Sequence, residues 1–143
     1  MIEQVMKKWH LFLKGELAGG LDELLADDVV FYSPIVFTAQ KGKDLTKMYL
    51  QAAGNTFSGT DKAKTSDVAG SKFRYVKKVM SGNQAVLEFE TEVDGKYVNG
   101  VDIISCNEDG KITEFKVMIR PLQAVNTMHQ QMQAMLTKMQ GSD

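Results

Sequence analysis

One carboxylate stands out because it lies within a segment that is otherwise apolar. Asp102 is flanked by Val101 and Ile103, in a run over residues 97–106 that predicts a β-strand. Successive side chains of a strand point to opposite faces, so apolar residues at both positions indicate that both faces are covered. Because an ionised, unpaired carboxylate is costly to bury, Asp102 needs a partner, a proton or a cavity. It is therefore a candidate general acid or base.

The candidate neighbours of Asp102 are two side chains that can donate a hydrogen bond and one of two adjacent strand residues. Asp102 is alternatively a structural residue that is bonded to Trp9, Tyr49 or a backbone amide. Trp9 shares the apolar stripe of the first predicted helix, so core packing is its simpler interpretation, although its indole N–H offers a donor. Tyr32 and Ser33 alternate faces on one predicted strand, so only one of them can face an enclosed site.

The remaining titratable residues do not form a recognisable metal or cofactor site. His10 and His129 are far apart in the sequence, and Cys106 is the single cysteine, so no zinc-ligand spacing is present. No nucleophile elbow, phosphate-binding loop or dinucleotide-binding glycine pattern occurs either. We therefore expect neither a metal nor a cofactor.

Composition and charge restrict the class of protein. The chain has 143 residues, of which 43% are hydrophobic and 24% charged, which is typical of one globular domain spanning residues 1–143. Seventeen basic residues balance eighteen acidic ones without a basic stripe, so we expect no nucleic-acid partner. No apolar run approaches the roughly 20 residues of a membrane span, and the N-terminus does not resemble a signal peptide. We expect a cytoplasmic protein that does not bind membranes.

Apolar spacing and turn residues predict helices with one strand between them, followed by an antiparallel meander. The predicted helices cover residues 2–18, residues 21–26, a segment that follows Gly42 and a last segment that follows Pro121. The predicted strands cover residues 29–34, 73–80, 85–93, 97–106 and 112–120. This order is that of an α+β fold in which a curved sheet covers the N-terminal helices.

Three further segments allow two interpretations each. Residues 58–72 are small and polar, which predicts either a mouth or lid segment or a solvated loop without function. Glu88, Glu90 and Glu92 alternate along one strand face, which favours a solvated or interface face balanced by neighbouring basic residues over a catalytic array. The last helix carries a methionine stripe that either packs on the domain or a partner subunit, or covers the mouth of a pocket. The members of this stripe are Met128, Met132, Met135 and Met139.

The chain resembles the nuclear-transport-factor-2-like superfamily, which includes SnoaL-like polyketide cyclases and ketosteroid isomerases. The resemblance rests on residues 24–29 running into Ser33-Pro34, on Val101-Asp102 and on residues 109–112. It implies a cone-like, strongly curved antiparallel sheet that is wrapped around N-terminal helices, encloses a pocket and is followed by a C-terminal helix. It also implies homodimers. The superfamily includes enzymes and non-enzymes, so the fold does not define one activity.

The comparison with ketosteroid isomerases extends to three positions. These enzymes have a tyrosine oxyanion donor, an aspartate base and a protonated aspartate, which are matched here by Trp9, Ser33 and Asp102. Serine cannot serve as the same base, which argues against ketosteroid isomerisation. The resemblance is closer to uncharacterised SnoaL-like proteins that end in a strand, Arg-Pro-Leu and a helix.

The sequence therefore predicts a protein that binds a small, mostly apolar molecule in a pocket, with Asp102 as the candidate catalytic residue. The predicted ligand-binding residues are Trp9, Ser33, Tyr49, Phe89, Phe115 and Val117. One alternative is an acid–base enzyme, an isomerase, cyclase or dehydratase, and a second is a non-catalytic homodimeric scaffold. We expect the homodimer to form through the convex sheet face, which carries Val101, Ile103 and Met118.

Overall fold

The computed structural model of the chain describes residues 1–58 and 72–140, within which it has four helices and six strands. The helices are α1 (Ile2–Leu13), α2 (Gly20–Leu24), α3 (Lys43–Ser58) and α4 (Leu122–Gln140). The strands are β1 (Leu25–Tyr32), β2 (Gln40–Lys41), β3 (Arg74–Ser81), β4 (Gln84–Val93), β5 (Lys96–Cys106) and β6 (Ile112–Arg120). The α+β class and the helical C-terminal segment agree with the sequence-based prediction.

The six strands form one curved sheet in the order β2-β1-β6-β5-β4-β3, which is not closed into a barrel. Neighbouring strands are antiparallel except β1 and β6, which are parallel. The register shifts between Tyr75 and Lys77 in β3 and between Ser105 and Cys106 in β5. Such irregularities bend a strand and increase its twist, which helps the sheet to form a concave face that helices can cover.

The concave face packs against α1 at one end and against α4 at the other. Ile2, Met6 and Trp9 of α1 are buried in a cluster with Leu87 of β4 and Phe115 of β6. Their spacing of three to four residues places them on one helix face, as the amphipathic pattern predicted. A second cluster joins Ala124 and Met128 of α4 to Phe73, which precedes β3, and to the strand residues Phe89, Val93 and Val98. A site on the concave face is therefore bordered by both helices.

The first helix ends five residues earlier than predicted. Gly15 adopts the left-handed conformation with φ of 74°, which only glycine adopts without strain. The backbone N–H groups of Gly15 and Glu16 donate to the carbonyls of Phe12 and Leu11, respectively. This pair of bonds is the Schellman arrangement that terminates helices. The helix therefore ends at Leu13 rather than at the Gly19-Gly20 pair.

The ends of the other helices and strands differ less from their predicted positions. Residues 25 and 26, predicted as helical, belong instead to β1, which ends at Tyr32 before Ser33 and Pro34. The two-residue strand β2 was not predicted, because its sequence has no strand pattern. The four strands of the meander agree with their predicted ranges to within one residue at each end. The predicted loop over residues 58–72 lies outside the described residues, except for its two end positions.

Candidate functional site

A cavity of about 640 Å³ lies between the concave sheet face and the helices α1, α3 and α4. All seven residues that the sequence predicted for the site line this cavity. They are Trp9, Ser33, Tyr49, Phe89, Asp102, Phe115 and Val117. The structure therefore brings together residues that are more than a hundred positions apart in the sequence. A volume of this size is ordinary for a small-molecule site.

Asp102 lies in the middle of β5, on the face that points into the cavity, and is only 5% exposed. Its partners in the sheet are apolar, namely Leu87 of β4 and Val117 of β6. Tyr75 of β3 donates its phenolic proton to Oδ2 of Asp102 over 2.6 Å. Among the residues that the structure describes, Tyr75 is the one hydrogen-bond partner of this side chain. Its other oxygen, Oδ1, is therefore left for a proton or a molecule in the cavity.

Tyr75 is itself held by Trp9, whose indole N–H donates to the Tyr75 hydroxyl over 2.9 Å. Because the hydroxyl accepts this bond, its own proton points to Asp102, and the three residues form a directed Trp9–Tyr75–Asp102 chain. In the structural alternative for Asp102, its carboxyl is bonded directly to Trp9, Tyr49 or a backbone amide. Trp9 acts through Tyr75 instead, and the Tyr49 ring stacks on Phe31 at 5.5 Å between centroids.

Burial changes the acidity of Asp102. Removal of the carboxyl from water raises its pKa from 3.8 to about 7, and the hydrogen bond from Tyr75 opposes this increase. The raised pKa follows from the environment that the sequence indicated, an aspartate between apolar neighbours. Near neutral pH the side chain can therefore carry a proton or a charge, which allows it to donate or accept.

Tyr75 is the important residue that the sequence analysis did not identify. It belongs to a strand whose other side chains are mostly exposed, including Arg74, Lys77 and Lys78. The available signal was the alternation of Phe73, Arg74 and Tyr75, which places the two aromatic rings on one face. Both rings line the cavity, and they meet edge to face at 5.0 Å.

Ser33 lines the cavity, whereas the neighbouring Tyr32 points away and has its ring 4.8 Å from the Lys116 ammonium. This arrangement agrees with the prediction that only one of the two faces the site. The Ser33 hydroxyl oxygen accepts bonds from the backbone N–H groups of Ile35 and Val36, at 3.0 and 3.2 Å. Its first role is therefore to shape the turn at the rim of the cavity.

Aromatic rings form most of the wall near the Trp9–Tyr75–Asp102 chain. Trp9 lies 5.0 Å from Phe115, and Phe73 stacks on Phe89 at 4.8 Å between centroids. Gly100, two residues before Asp102, leaves room for this wall: a Cβ added there would lie 2.6 Å from Cζ of Phe89. The absence of a side chain at position 100 therefore allows Phe89 to lie close against β5.

Helix α4 closes one side of the cavity. Met128 is 4% exposed and Met132 is partly buried, and both line the cavity together with His129. His129 is exposed to solvent, as predicted. The side chains of Met135 and Met139, the other members of the predicted stripe, lie outside the described part of the helix. The described half of the stripe thus packs on the domain and borders the cavity at once.

The charged candidates lie outside the cavity. Glu90 pairs with Arg74 at 2.8 Å, and Glu88 pairs with Lys77 at 4.0 Å. These pairs lie on the convex face, as expected for a solvated row that is balanced by the neighbouring strand. Arg120 donates to Asn99 at 3.1 Å. Within residues 1–58 and 72–140, no three histidine, cysteine or acidic side chains are grouped as metal ligands.

Comparison with known proteins identifies the class of fold. The structure superimposes on a steroid delta-isomerase from Pseudomonas aeruginosa with a TM-score of 0.83 and 27% identity, over 99% of this chain and 95% of the other. An uncharacterised protein with a cystatin-like fold from Silicibacter pomeroyi gives a TM-score of 0.75 and 29% identity, over 91% and 83%. A proposed SnoaL-like isomerase from Agrobacterium tumefaciens gives 0.56 and 14%, over 84% and 97%. No protein-family model and no curated protein sequence matches the chain.

The curved sheet over helices, with a cavity between them, is thus the cone fold. The structure has the fold of the nuclear-transport-factor-2-like superfamily, and steroid-isomerase and SnoaL-like proteins are among its structural neighbours. In the described part of the chain, none of the helices has the length and apolarity needed to cross a membrane.

Proposed function

We propose that the protein binds a small, mostly apolar molecule in the cavity between the sheet, α1, α3 and α4. The observation that carries this proposal is the chemistry of the wall, which is mostly aromatic and aliphatic and contains one carboxylate among its described residues, that of Asp102. Ligand sites of this size combine apolar walls with a few polar groups that orient the ligand. The Trp9–Tyr75–Asp102 chain fixes the direction of that polar group, because each hydrogen bond determines the next.

Trp9 allows a direct test, because it is the single tryptophan of the chain and is 4% exposed. We expect blue-shifted emission from the native protein, since the indole faces apolar walls, and a saturable intensity change when apolar ligands are added. Leu11 is an exposed residue of the same helix, so a Leu11→Ala variant should bind in the same way and serves as the control. Emission typical of a solvated indole, or the absence of saturable binding across a panel of apolar compounds, would contradict the proposal.

An acid–base enzyme is the second candidate function. It is favoured by the Asp102 pKa of about 7, which suits proton transfer near neutral pH, and by the likeness to the Pseudomonas steroid delta-isomerase. Against it, the position of the family's base is occupied by Ser33, whose oxygen accepts two backbone bonds. Incubation with a β,γ-unsaturated ketosteroid distinguishes the candidates: a binding protein leaves the double bond in place, whereas an isomerase moves it in an Asp102-dependent manner.

We also propose that the protein forms a homodimer through the convex sheet face. The support is a contiguous patch, here called the convex apolar patch, in which paired strand positions expose apolar side chains. Val79, Val86 and Met118 are 56%, 38% and 52% exposed, respectively. Val101 and Ile103 lie between them and are partly exposed. Exposed apolar patches with charged pairs at their rim are typical of association surfaces.

A charge in the centre of this patch tests the homodimer. We expect sedimentation at micromolar concentration to show a dimer for the native chain, and Ile103→Lys to weaken association by at least about tenfold, because the introduced ammonium loses water in the interface. Glu108→Lys, in the exposed turn between β5 and β6, is the control for surface charge and should remain dimeric. A native monomer would remove the proposal, and a dimer that survives Ile103→Lys would place the interface elsewhere.

A further inference from the structure

The charged side chains of the cavity lining are not balanced. Among its described lining residues, Asp102 is the single carboxylate, and none is lysine or arginine. Tyr75 donates to Oδ2 of Asp102, whereas Oδ1 has no hydrogen-bond partner in the part of the chain that the structure describes. When this carboxylate is ionised, the described lining therefore offers it one neutral hydrogen bond and no lysine or arginine. A buried anion in this situation is stabilised strongly by any cation that enters the cavity.

The walls of the cavity also favour a cationic ligand. Eight of the described lining residues are aromatic. These residues are Trp9, Phe12, Phe31, Tyr49, Phe73, Tyr75, Phe89 and Phe115. The faces of aromatic rings attract cations, and this attraction grows where water is excluded. One acid within an aromatic wall is the chemistry that recognises organic ammonium groups.

We propose that the ligand is an apolar molecule that carries a protonated amine, whose ammonium group is held by the Asp102 carboxylate and the surrounding aromatic rings. This inference rests on the proposed binding function and names the chemical class of its ligand. The apolar body of the molecule fills the cavity of about 640 Å³, and the ammonium supplies a positive charge that no lysine or arginine of the described lining provides.

The pH dependence of binding follows from the groups that face Asp102. Its partners in β4 and β6 are Leu87 and Val117, which do not titrate. The titratable groups near the chain or in the lining are Tyr75, His10 edge-on to Tyr75, Lys78 at 6.0 Å from the Tyr75 ring, Tyr49, and His129 on α4. Because Asp102 has a pKa of about 7, an ammonium ligand must displace its proton below that pH. The affinity for the ammonium should therefore increase as the pH rises through 7.

A neutral ligand with a hydrogen-bond acceptor has the opposite pH dependence. Such a ligand needs the protonated carboxyl as a donor, so its affinity should increase as the pH falls. The two classes can be compared on one carbon skeleton, with the tricyclic amine dehydroabietylamine, its N,N,N-trimethylammonium derivative and the corresponding aldehyde. The quaternary derivative keeps its charge at every pH, so its pH dependence reports on the protein alone.

Calorimetric titration of the full chain at about pH 6 and about pH 8 tests the proposal. We expect both cations to bind at least about tenfold more tightly than the aldehyde at the higher pH, and to lose about tenfold at the lower pH as Asp102 gains its proton. Asp102→Asn should reduce cation affinity at the higher pH by at least about tenfold, and should leave the aldehyde affinity at the lower pH, where Asp102 is protonated, within about threefold. Asp109→Asn, in an exposed turn, is the matched control and should change neither.

The outcomes separate the two proposals. If the aldehyde binds more tightly than both cations, and more tightly at low pH, the ammonium proposal is overturned while the apolar binding function stands. Equal affinities of all three ligands, unaffected by Asp102→Asn, would overturn it too. If none of the three binds, and no apolar compound changes the Trp9 emission, the binding function itself fails.

Discussion

Asp102→Asn should stabilise the folded protein by up to about 4 kcal/mol above pH 7, and by little below pH 4. The physical reason is the increase of the Asp102 pKa from 3.8 to about 7 on burial, which corresponds to this free energy at about 1.4 kcal/mol for each pH unit. Asparagine keeps an oxygen that can accept the Tyr75 bond, so the Trp9–Tyr75 geometry should persist. Asp102→Leu should also stabilise the fold but abolish ligand binding, since the orienting polar group is lost.

The direction of the pH effect on stability follows from proton uptake by Asp102. Below pH 3.8 the carboxyl is neutral in the folded and the unfolded state, and it contributes no penalty. Between 3.8 and about 7 only the folded state holds the proton, so the native protein loses stability as the pH rises. Above that range both states are ionised and the penalty is constant. The difference between variant and native free energies of unfolding, measured by urea denaturation across this range, isolates Asp102.

Asp109→Asn provides the control for this measurement, because Asp109 is exposed in the turn after β5. Its difference curve should be flat to within about 0.5 kcal/mol. A flat curve for Asp102→Asn as well would show that the carboxyl is not destabilised when ionised. In that case a cation or solvent reaches it in the free protein.

Much of the fold follows from local sequence patterns. The hairpin turns at Gly82 and Asp94-Gly95 fix the pairing of β3, β4 and β5, because glycine adopts the positive φ that such turns require. Helix α1 was predicted from its apolar spacing, yet its end was misplaced because Gly15 was not considered as a C-terminal cap. The parallel pairing of β1 with β6 has no local signal, since it joins positions such as Phe31 and Phe115 that are far apart in the sequence.

The candidate site was predictable to the extent that single residues conflict with their surroundings. The sequence identifies Asp102 because the burial of a carboxylate among valine and isoleucine costs free energy. The structure gives this carboxylate one tyrosine partner among the described residues. Tyr75 was missed because a tyrosine in a half-exposed strand conflicts with nothing. Its role depends on a contact between residues 27 positions apart, and on a second contact with Trp9 across 66 positions. Such contacts are set by the curvature of the sheet, which the local sequence does not encode.

The second large effect should come from α4. A chain that ends at Gln123 should lose most of its stability or aggregate, because α4 covers the cluster of Phe73, Phe89 and Val98 and contributes the buried Ala124 and Met128. The loss of this packing exposes apolar area to water, which costs about 25 cal/mol of folding free energy for each Å². Domains are stable by only about 5–15 kcal/mol, so the truncation should remove a large share of the total.

A point substitution gives the same information without removal of the helix. Met128→Ala should lower the free energy of unfolding by about 2–5 kcal/mol, as is usual when a buried side chain is truncated in a core. Gln130, two residues along α4, is exposed, and Gln130→Ala should change stability by less than about 0.5 kcal/mol. Thermal denaturation and the binding of an apolar dye report both quantities. Unchanged stability and dye binding in the truncated chain and in Met128→Ala would show that α4 is a dispensable tail, and the cavity would then need no cover on that side.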